Sequence, residues 1–399
     1  MAQAVALLVY PLLTRLYTTG QFGLFNIFLS LGGILVLFAT LQYEYSIVLP
    51  REERQARWCL HAGVASTLVV VVCCIAMLPF RRSIALLLGA GGLEDYLWML
   101  PVYVCGMALW QLTRYWLLRH RRVDLLSTNQ VSQAVISAGG KVAGGYGGLA
   151  GGLIAASTAA PLLAWAITLL RTPAALLRTL LRLEHRGTRA AACRYRNFPF
   201  FTLPKALLES LSSNLPLLLM APLFGLDAVG FVGMAMTLAM RPINIVGSSL
   251  NQVFYQRAAT EVQQHRPVWG LCQRYLLWAF AVAVPVFVAL YVWLPAICAW
   301  LLGDQWRESG EYIRVMLPWL LLVLMNHPVN FLPDLFGRQR GLFVFTAVRI
   351  TLQAAALGLG FVLRSPHQTL LLYALAAAVV LVAQLLWFRH LALLHDRTL

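Results

Sequence analysis

Charged residues are scarce in this sequence. Asp, Glu, Lys and Arg make up 12% of the 399 residues, whereas soluble domains contain about 25%. Hydrophobic residues account for 60%, and the mean hydropathy is +0.72. Because one soluble core cannot bury that much apolar surface, the composition excludes an ordinary soluble domain and predicts a chain embedded in lipid.

The sequence also lacks the patterns of secretion and metal binding. The opening MAQAVALLVYPLLTRLY has no basic start and no cleavage site, so it predicts a retained first span and not a signal peptide. That span is short, since about 20 apolar residues are needed to cross the hydrocarbon core. We therefore expect either a truncated start or a helix that begins part-way through the membrane. The seven cysteines show no metal-ligand spacing and are interpreted as packing thiols.

Catalytic constellations are missing too. The eight histidines are scattered and no outer loop is long, so we expect neither enzyme activity nor a cofactor. A membrane-embedded polymerase or glycosyltransferase is the alternative from another class. Such an enzyme would change polymer length or linkage without a second compartment, whereas a transporter needs two leaflets.

Apolar stretches of roughly 18 residues or more alternate with polar breaks along the whole chain. This pattern predicts an all-α integral membrane protein with about twelve transmembrane helices. Their expected centres are residues 9, 36, 69, 107, 134, 160, 212, 238, 284, 323, 351 and 379.

Arginines fall mainly in alternate loops, which predicts the orientation. Twenty lie near residues 51–57, 119–122, 171–196, 257–274, 338–340 and 389–397, against Arg81, Arg82, Arg307 and Arg364 in the other loops. By the positive-inside rule, the rich side and both termini are cytoplasmic. Most of the net charge of +16 is therefore a topology signal and does not indicate a nucleic-acid partner.

The longest polar segment, residues 172–197, separates two halves, residues 1–171 and 198–399. Arg178, Arg182 and Arg186 recur every fourth residue on one helical face. We interpret the segment as an interfacial amphipathic helix that joins two six-helix bundles. The more specific alternative is that this segment is a docking site for a cytoplasmic glycosyltransferase.

A short motif recurs about half a chain apart. Pro11-Leu-Leu and Phe22-Gly23-Leu24-Phe25 in the first half correspond to Pro216-Leu-Leu and Val229-Gly230-Phe231-Val232 in the second. Because an even number of spans separates the copies, the halves are expected to form a parallel repeat about an axis normal to the membrane. Transporters of that plan hold their substrate between the halves.

Ionisable residues inside apolar spans are costly and are therefore candidate functional residues. The basic candidates are Arg15, Lys141, Lys205, Arg241 and Arg349, and the acidic candidates for ion coupling are Glu44, Glu209 and Asp334. Simpler interpretations remain: Asp334 can reach the membrane surface, water can reach Glu44, and Lys205 can neutralise Glu209 four residues later. The basic excess suits an anionic diphosphate, which arginine binds bidentately.

A glycine-rich stretch, residues 139–152, invites comparison with a phosphate-binding loop. No Gly-Lys-Ser/Thr follows a strand, so that interpretation fails. Glycines at positions 140, 144, 148 and 152 recur every four residues, and this spacing predicts close helix packing around a tight turn.

Three stretches resemble one family of membrane proteins. The run PLLTRLYTTGQFGLFNIFLSLGGILVLFATLQYEYSIVLPREERQA, residues 241–261 (RPINIVGSSLNQVFYQRAATE) and residues 301–319 (LLGDQWRESGEYIRVMLPW) are similar to Wzx-type oligosaccharide flippases. These belong to the multidrug/oligosaccharidyl-lipid/polysaccharide exporter superfamily. The family usually has more residues before the first stretch, in keeping with a truncated start.

The resemblance implies two six-helix bundles around a cationic cavity and alternating access. It implies transport of undecaprenyl-diphosphate-linked repeat units across the bacterial inner membrane, for lipopolysaccharide O-antigen or exopolysaccharide. It also implies a polymerase and a chain-length regulator as partners, and by analogy the intramembrane arginines, Arg15 among them, would hold the diphosphate and sugar. The alternative within the superfamily is an ion-coupled multidrug exporter.

Overall fold

The protein is nearly all-helical. The computed structural model describes residues 2–172, 185–264 and 266–397; it is 89% helical and has no β-strand within those ranges. Eight helical stretches in them are long and apolar enough to cross a membrane. The predicted all-α, multi-pass membrane fold is therefore confirmed, while the count of twelve spans stays a prediction.

In the described ranges, twelve helices of ten or more residues form the framework. They are α1 (Ala2–Leu16), α2 (Thr19–Thr40), α3 (Glu53–Ala76), α4 (Leu100–Arg119), α5 (Val123–Tyr146), α6 (Gly152–Arg171), α7 (His185–Arg194), α8 (Leu203–Gln263), α9 (Trp269–Leu302), α10 (Arg307–Asn326), α11 (Gln339–Gly358) and α12 (Pro366–Arg397). Shorter helices occupy Arg81–Leu87, Leu332–Leu335 and Gly360–Leu363, a π-helical turn Phe198–Thr202, and 3₁₀ turns Tyr43–Val48, Leu78–Phe80, Leu93–Asp95, Leu97–Met99, Asp304–Trp306 and His327–Val329.

Each of the expected span centres falls inside one of these helices. The centres at 212 and 238 share α8, whose only non-helical residue is Gly225, with φ of +85°. One residue is enough to redirect the chain there, because glycine adopts positive φ without steric cost. The two apolar spans predicted from the sequence are therefore the two segments of α8, which Gly225 separates.

The hairpin of α5 and α6 contains the glycine-rich stretch. A Cβ atom on Gly144 would lie 2.9 Å from the Cα of Gly152, and one on Gly140 would lie 2.9 Å from the Cβ of Ala156. Both distances are too short for a side chain, so the two helices are in contact through backbone. Close helix packing around a tight turn is thus confirmed.

The chain divides by its contacts into two compact units, Met1–Gly230 and Phe231–Leu399. In the first unit, the linker residues 173–184, including Arg178 and Arg182, lie outside the described residues. The helix α7 that follows packs on α3, where Ala191 is buried with Cys59 and Leu60. The division into bundles 1–171 and 198–399 around an amphipathic linker stays a prediction.

The second unit is built on α9 to α12. Phe254, Val268 and Phe388 belong to one buried apolar cluster of this unit. The Asp396 carboxylate accepts hydrogen bonds from the backbone N–H groups of Val268 and Trp269 at 2.8 and 3.0 Å. These bonds satisfy amides at the start of α9 that have no partner within the helix.

Candidate substrate-binding and ion-coupling sites

Two of the basic candidates lie on helices that pack together in the first unit. Arg15 is exposed in the last turn of α1. On α5, the Lys141 ammonium lies 4.8 Å from the ring centroid of Phe25. The backbone carbonyl of Lys141 accepts a 2.7 Å hydrogen bond from the hydroxyl of Tyr17, two residues after Arg15. The end of α1 and the last third of α5, which carry these two cations, are therefore in contact at Tyr17 and Lys141.

Arg241 and Arg349 are the basic candidates of the second unit. Both are partly buried, Arg241 on α8 before Pro242 and Arg349 on α11. Arg349 lies within electrostatic range of Tyr373, which also hydrogen-bonds to Gln353. Partial burial keeps a guanidinium group available to an anion while it reduces competition from solvent.

Three of the remaining charged candidates, Lys205, Glu209 and Asp334, are exposed. Lys205 Nζ lies 3.9 Å from Glu209 Oε1, and both side chains are more than half exposed. This ion pair is the mutual neutralisation that the four-residue spacing predicted. Asp334 is exposed in the short helix Leu332–Leu335. The functional roles of Lys205, Glu209 and Asp334 stay predictions.

Glu44 is fully buried, at 0% exposure, although we expected water to reach it. Its Oε1 accepts a 2.7 Å hydrogen bond from Gln111 Nε2 on α4, and its Oε2 has no hydrogen-bond partner among the described residues. Burial raises the pKa of Glu44 above its ordinary value, and hydrogen bonds from the backbone and from neighbouring side chains, Gln111 among them, oppose this only in part. The site therefore favours a neutral, protonated carboxyl group.

Two neighbouring features hold Glu44 in this position. After α2, Leu41 and Gln42 both adopt left-handed conformations, with φ of 47° and 61°, which turn the chain into the 3₁₀ segment that carries Glu44. The Arg119 guanidinium group donates to the carbonyls of Ile47, Pro50 and, at 3.2 Å, Arg51. Left-handed non-glycine residues persist only where surrounding contacts enforce them, and Arg119 supplies such contacts.

Replacing Glu44 by glutamine is expected to remove a pH dependence from folding stability. Because the folded pKa is raised, the stabilisation is complete below the ordinary value of 4.5 and is lost as pH rises through the folded pKa. The wild-type melting temperature should therefore fall from pH 5 to pH 8, and that of Glu44→Gln should not.

Thermal unfolding of the purified protein in detergent measures this effect. Glu209→Gln is the matched control, because Glu209 is exposed and should leave the wild-type slope unchanged. Parallel curves for wild type and Glu44→Gln would contradict the assignment of a neutral buried carboxyl group.

The repeated motif forms a reciprocal contact inside the first unit. A Cβ atom on Gly23 would overlap the carbonyl oxygen of Leu226, and one on Gly230 would overlap the carbonyl oxygen of Thr19. The same offset of 207 residues relates Thr19 to Leu226 and Gly23 to Gly230. Next to these glycines, the Thr19 hydroxyl donates to the Asp227 carboxylate. We call these five residues the glycine corner.

Two participants escaped the sequence analysis, Gln111 and Asp227. Gln111 is an amide in the middle of α4, and polar groups at membrane depth call for a partner. Asp227 lies inside the second copy of the repeat motif, where the first copy has Gly20 at the corresponding position. A polar residue within a helix and an acidic residue that the first copy lacks are both visible in the sequence. Neither observation identifies the residue that the side chain contacts.

Two solved structures share the fold of this chain. The lipid II flippase MurJ in an inward closed conformation matches with a TM-score of 0.76 at 10% identity, over 99% of this chain and 89% of that chain. An inward-facing multidrug resistance MATE family transporter of the MOP superfamily matches with a TM-score of 0.72 at 14% identity, over 98% and 95%. At these identities the likeness shows the fold.

Sequence comparison gives the family. No curated protein sequence matches the chain significantly. The model of a family described as polysaccharide biosynthesis protein matches residues 12–311, about three quarters of the chain. The chain therefore belongs to the polysaccharide biosynthesis protein family, and its fold is that of flippases and transporters of the MOP superfamily, as the resemblance of its motifs implied.

Proposed function

We propose that this protein flips undecaprenyl-diphosphate-linked oligosaccharide repeat units from the cytoplasmic to the periplasmic leaflet of the bacterial inner membrane. The family match to polysaccharide biosynthesis proteins, on a fold shared with a lipid II flippase, carries the proposal. The product feeds O-antigen or exopolysaccharide synthesis, with a polymerase and a chain-length regulator as partners. Both termini lie in the cytoplasm, on the arginine-rich side.

The basic candidates are cationic side chains that can bind a diphosphate. Arg15 and Lys141 lie on helices that pack together in the first unit, and Arg241 and Arg349 are partly buried on helices of the second. Guanidinium groups bind phosphate oxygens through paired hydrogen bonds. Two bundles that rock about the substrate then expose it to one leaflet at a time.

Single alanine substitutions at Arg15, Arg241 and Arg349 are expected to trap repeat units on the cytoplasmic leaflet. A hydrogen bond to a charged group contributes about 1.5–3 kcal/mol, so transport should fall roughly 10- to 100-fold for each. Surface polymer, measured in cells that depend on this protein for polymer export, gives the readout. Arg82→Ala is the control, since Arg82 is exposed in a short helix outside the apolar spans. Normal polymer in all three variants would refute the residue assignment.

Glu44 is the best placed of the acidic candidates to couple transport to an ion. It is a buried carboxyl group with one unoccupied oxygen among the described residues, whereas Glu209 is paired with Lys205 and Asp334 is exposed. A carboxyl group that is neutral while buried and releases its proton when water reaches it would couple a proton gradient to rocking. Glu44→Gln should then flip substrate without response to an imposed pH gradient.

Ion-coupled export of cationic drugs is the alternative, favoured by the TM-score of 0.72 with a MATE transporter. An exporter of cations needs acidic groups in its cavity, and Glu44 is the only acidic candidate that is buried in the described ranges. Dye efflux from proteoliposomes separates the two proposals. We expect no efflux that depends on this protein.

A further inference from the structure

The first unit carries a polar pocket where α3 begins and α4 ends, which we call the arginine pocket. Five of its seven lining residues are ionisable. Three of them are the arginines Arg51, Arg119 and Arg121, whereas Glu53 is the only acidic residue of the lining. A concave site with this excess of positive charge attracts anions.

Arg119 and His120 join the two walls of the pocket. The Arg119 guanidinium group donates to three backbone carbonyls of the segment before α3, that of Arg51 among them. The Nε2 atom of His120 lies 3.8 Å from Oε1 of Glu53, which is the first residue of α3. Because these contacts hold the walls together, the arginine side chains left for a ligand are Arg51 and Arg121.

Arg51 and Arg121 are exposed, and their side chains have no ion pair or hydrogen bond among the described residues. Arg121 also occupies a left-handed position after the end of α4, with φ of +52°. Glycine is the usual residue at such a position, because it has no Cβ atom. A residue that keeps this conformation at a cost in stability indicates a function for its side chain.

The remaining lining residues place the pocket at a membrane boundary. Val48 and Leu118 are apolar, and both are exposed, at 42% and 48%. Exposed apolar side chains next to charged ones are typical of the level at which hydrocarbon meets lipid headgroups. In the orientation that we propose, this level belongs to the cytoplasmic leaflet. A lipid presents its phosphate groups at the same level.

We infer that the arginine pocket binds the diphosphate of the lipid-linked substrate on the cytoplasmic side, before the substrate reaches the intramembrane arginines. This inference rests on the proposed function and adds a loading site to it. Arg51 and Arg121 each bind phosphate oxygens through paired hydrogen bonds. Two guanidinium groups balance the two charges of a diphosphate diester, whereas a phospholipid phosphodiester carries one. Glu53 repels the bound anion, so its charge weakens binding.

Protection of a single cysteine in the purified full-length protein tests the inference. Leu118→Cys places a thiol in the lining of a protein from which the exposed cysteines Cys73 and Cys193 have been removed. The probe is undecaprenyl-diphosphate-linked N-acetylglucosamine, and the measured quantity is the rate at which a soluble maleimide labels position 118. We expect the probe to slow labelling, and equimolar phosphatidylglycerol or inorganic diphosphate not to. Equal protection by either would overturn the inference, because the pocket would then bind anionic lipids in general or a soluble anion.

Charge variants give the sign of the effect. Arg51→Ala and Arg121→Ala should each raise the half-protecting concentration of the probe about two- to fivefold, the effect of one exposed ion pair. Glu53→Gln should lower it by a similar factor. Arg122→Ala is the matched control, because Arg122 lies outside the lining and pairs with Asp124 at 2.8 Å. Equal weakening by this control would overturn the inference, since the overall charge of the loop would then explain binding.

The outcomes separate the pocket from the flippase function. Val48→Cys, on the other wall, repeats the protection measurement independently of Leu118→Cys. If the probe protects neither position, the loading site is overturned and the flippase function stands. If cells that lack the protein still export normal surface polymer, the flippase function is overturned, and the loading site with it.

Discussion

Alanine at Gly23 or Gly230 is expected to force the glycine corner apart and to stop transport. At each position the added methyl group would overlap a backbone carbonyl oxygen, that of Leu226 or of Thr19. A carbonyl oxygen cannot rotate away as a flexible side chain can, so the two segments must separate. Overpacking costs about 1–3 kcal/mol, which shifts an equilibrium between closed and open corners roughly 5- to 150-fold.

The measurement combines transport with accessibility. Polymer export should fall by a similar factor, and a cysteine at position 19 should react faster with a membrane-impermeant maleimide. Gly33→Ala is the matched control on the same helix, since no atom lies within 4 Å of a Cβ built there. If Gly33→Ala impaired export as much as Gly23→Ala, the effect would belong to α2 as a helix and not to the corner.

Linking Thr19 to Asp227 is expected to block transport completely while the link is intact. Their side chains are hydrogen-bonded across the corner, so cysteines at both positions are within reach of a short, reducible thiol cross-linker. Alternating access requires one side of the protein to open, and in the orientation that we propose this corner is on the outer side. A link across it should hold that side closed.

The experiment starts from a protein without its exposed cysteines, Cys73 and Cys193. Transport should stop after cross-linking and recover fully after reduction. Each single-cysteine variant, treated in the same way, controls for modification alone. Transport that continues through an intact link would show that the corner does not open during the cycle.

The main architecture was predictable because hydropathy is a local signal. Apolar stretches long enough to span lipid form helices whatever they pack against, so every expected centre fell within a helix. The motif shared by the segments around Gly23 and Gly230 is also a local signal, and these two segments contact each other. The spacing of Gly140 and Gly144 likewise predicted a tight hairpin, since side-chain size alone decides how closely two helices approach.

The environment of the candidate sites was less predictable. Burial of Glu44 depends on two left-handed residues after α2 and on Arg119, which is 75 residues away in sequence. Its partner Gln111 lies on another helix, and no local pattern encodes that meeting. Contacts of this kind arise from tertiary packing, so the sequence indicated which residues are unusual but not what surrounds them.

The glycine corner resembles an interface between two identical subunits, although both sides of it belong to one polypeptide. In such an interface, residue i of one copy contacts residue j of the other while j contacts i, as Gly23 and Leu226 do with Gly230 and Thr19. Each copy thereby prohibits a side chain in the other. A Cβ atom at either position would overlap the other copy's backbone, which accounts for the glycine that both copies of the motif share.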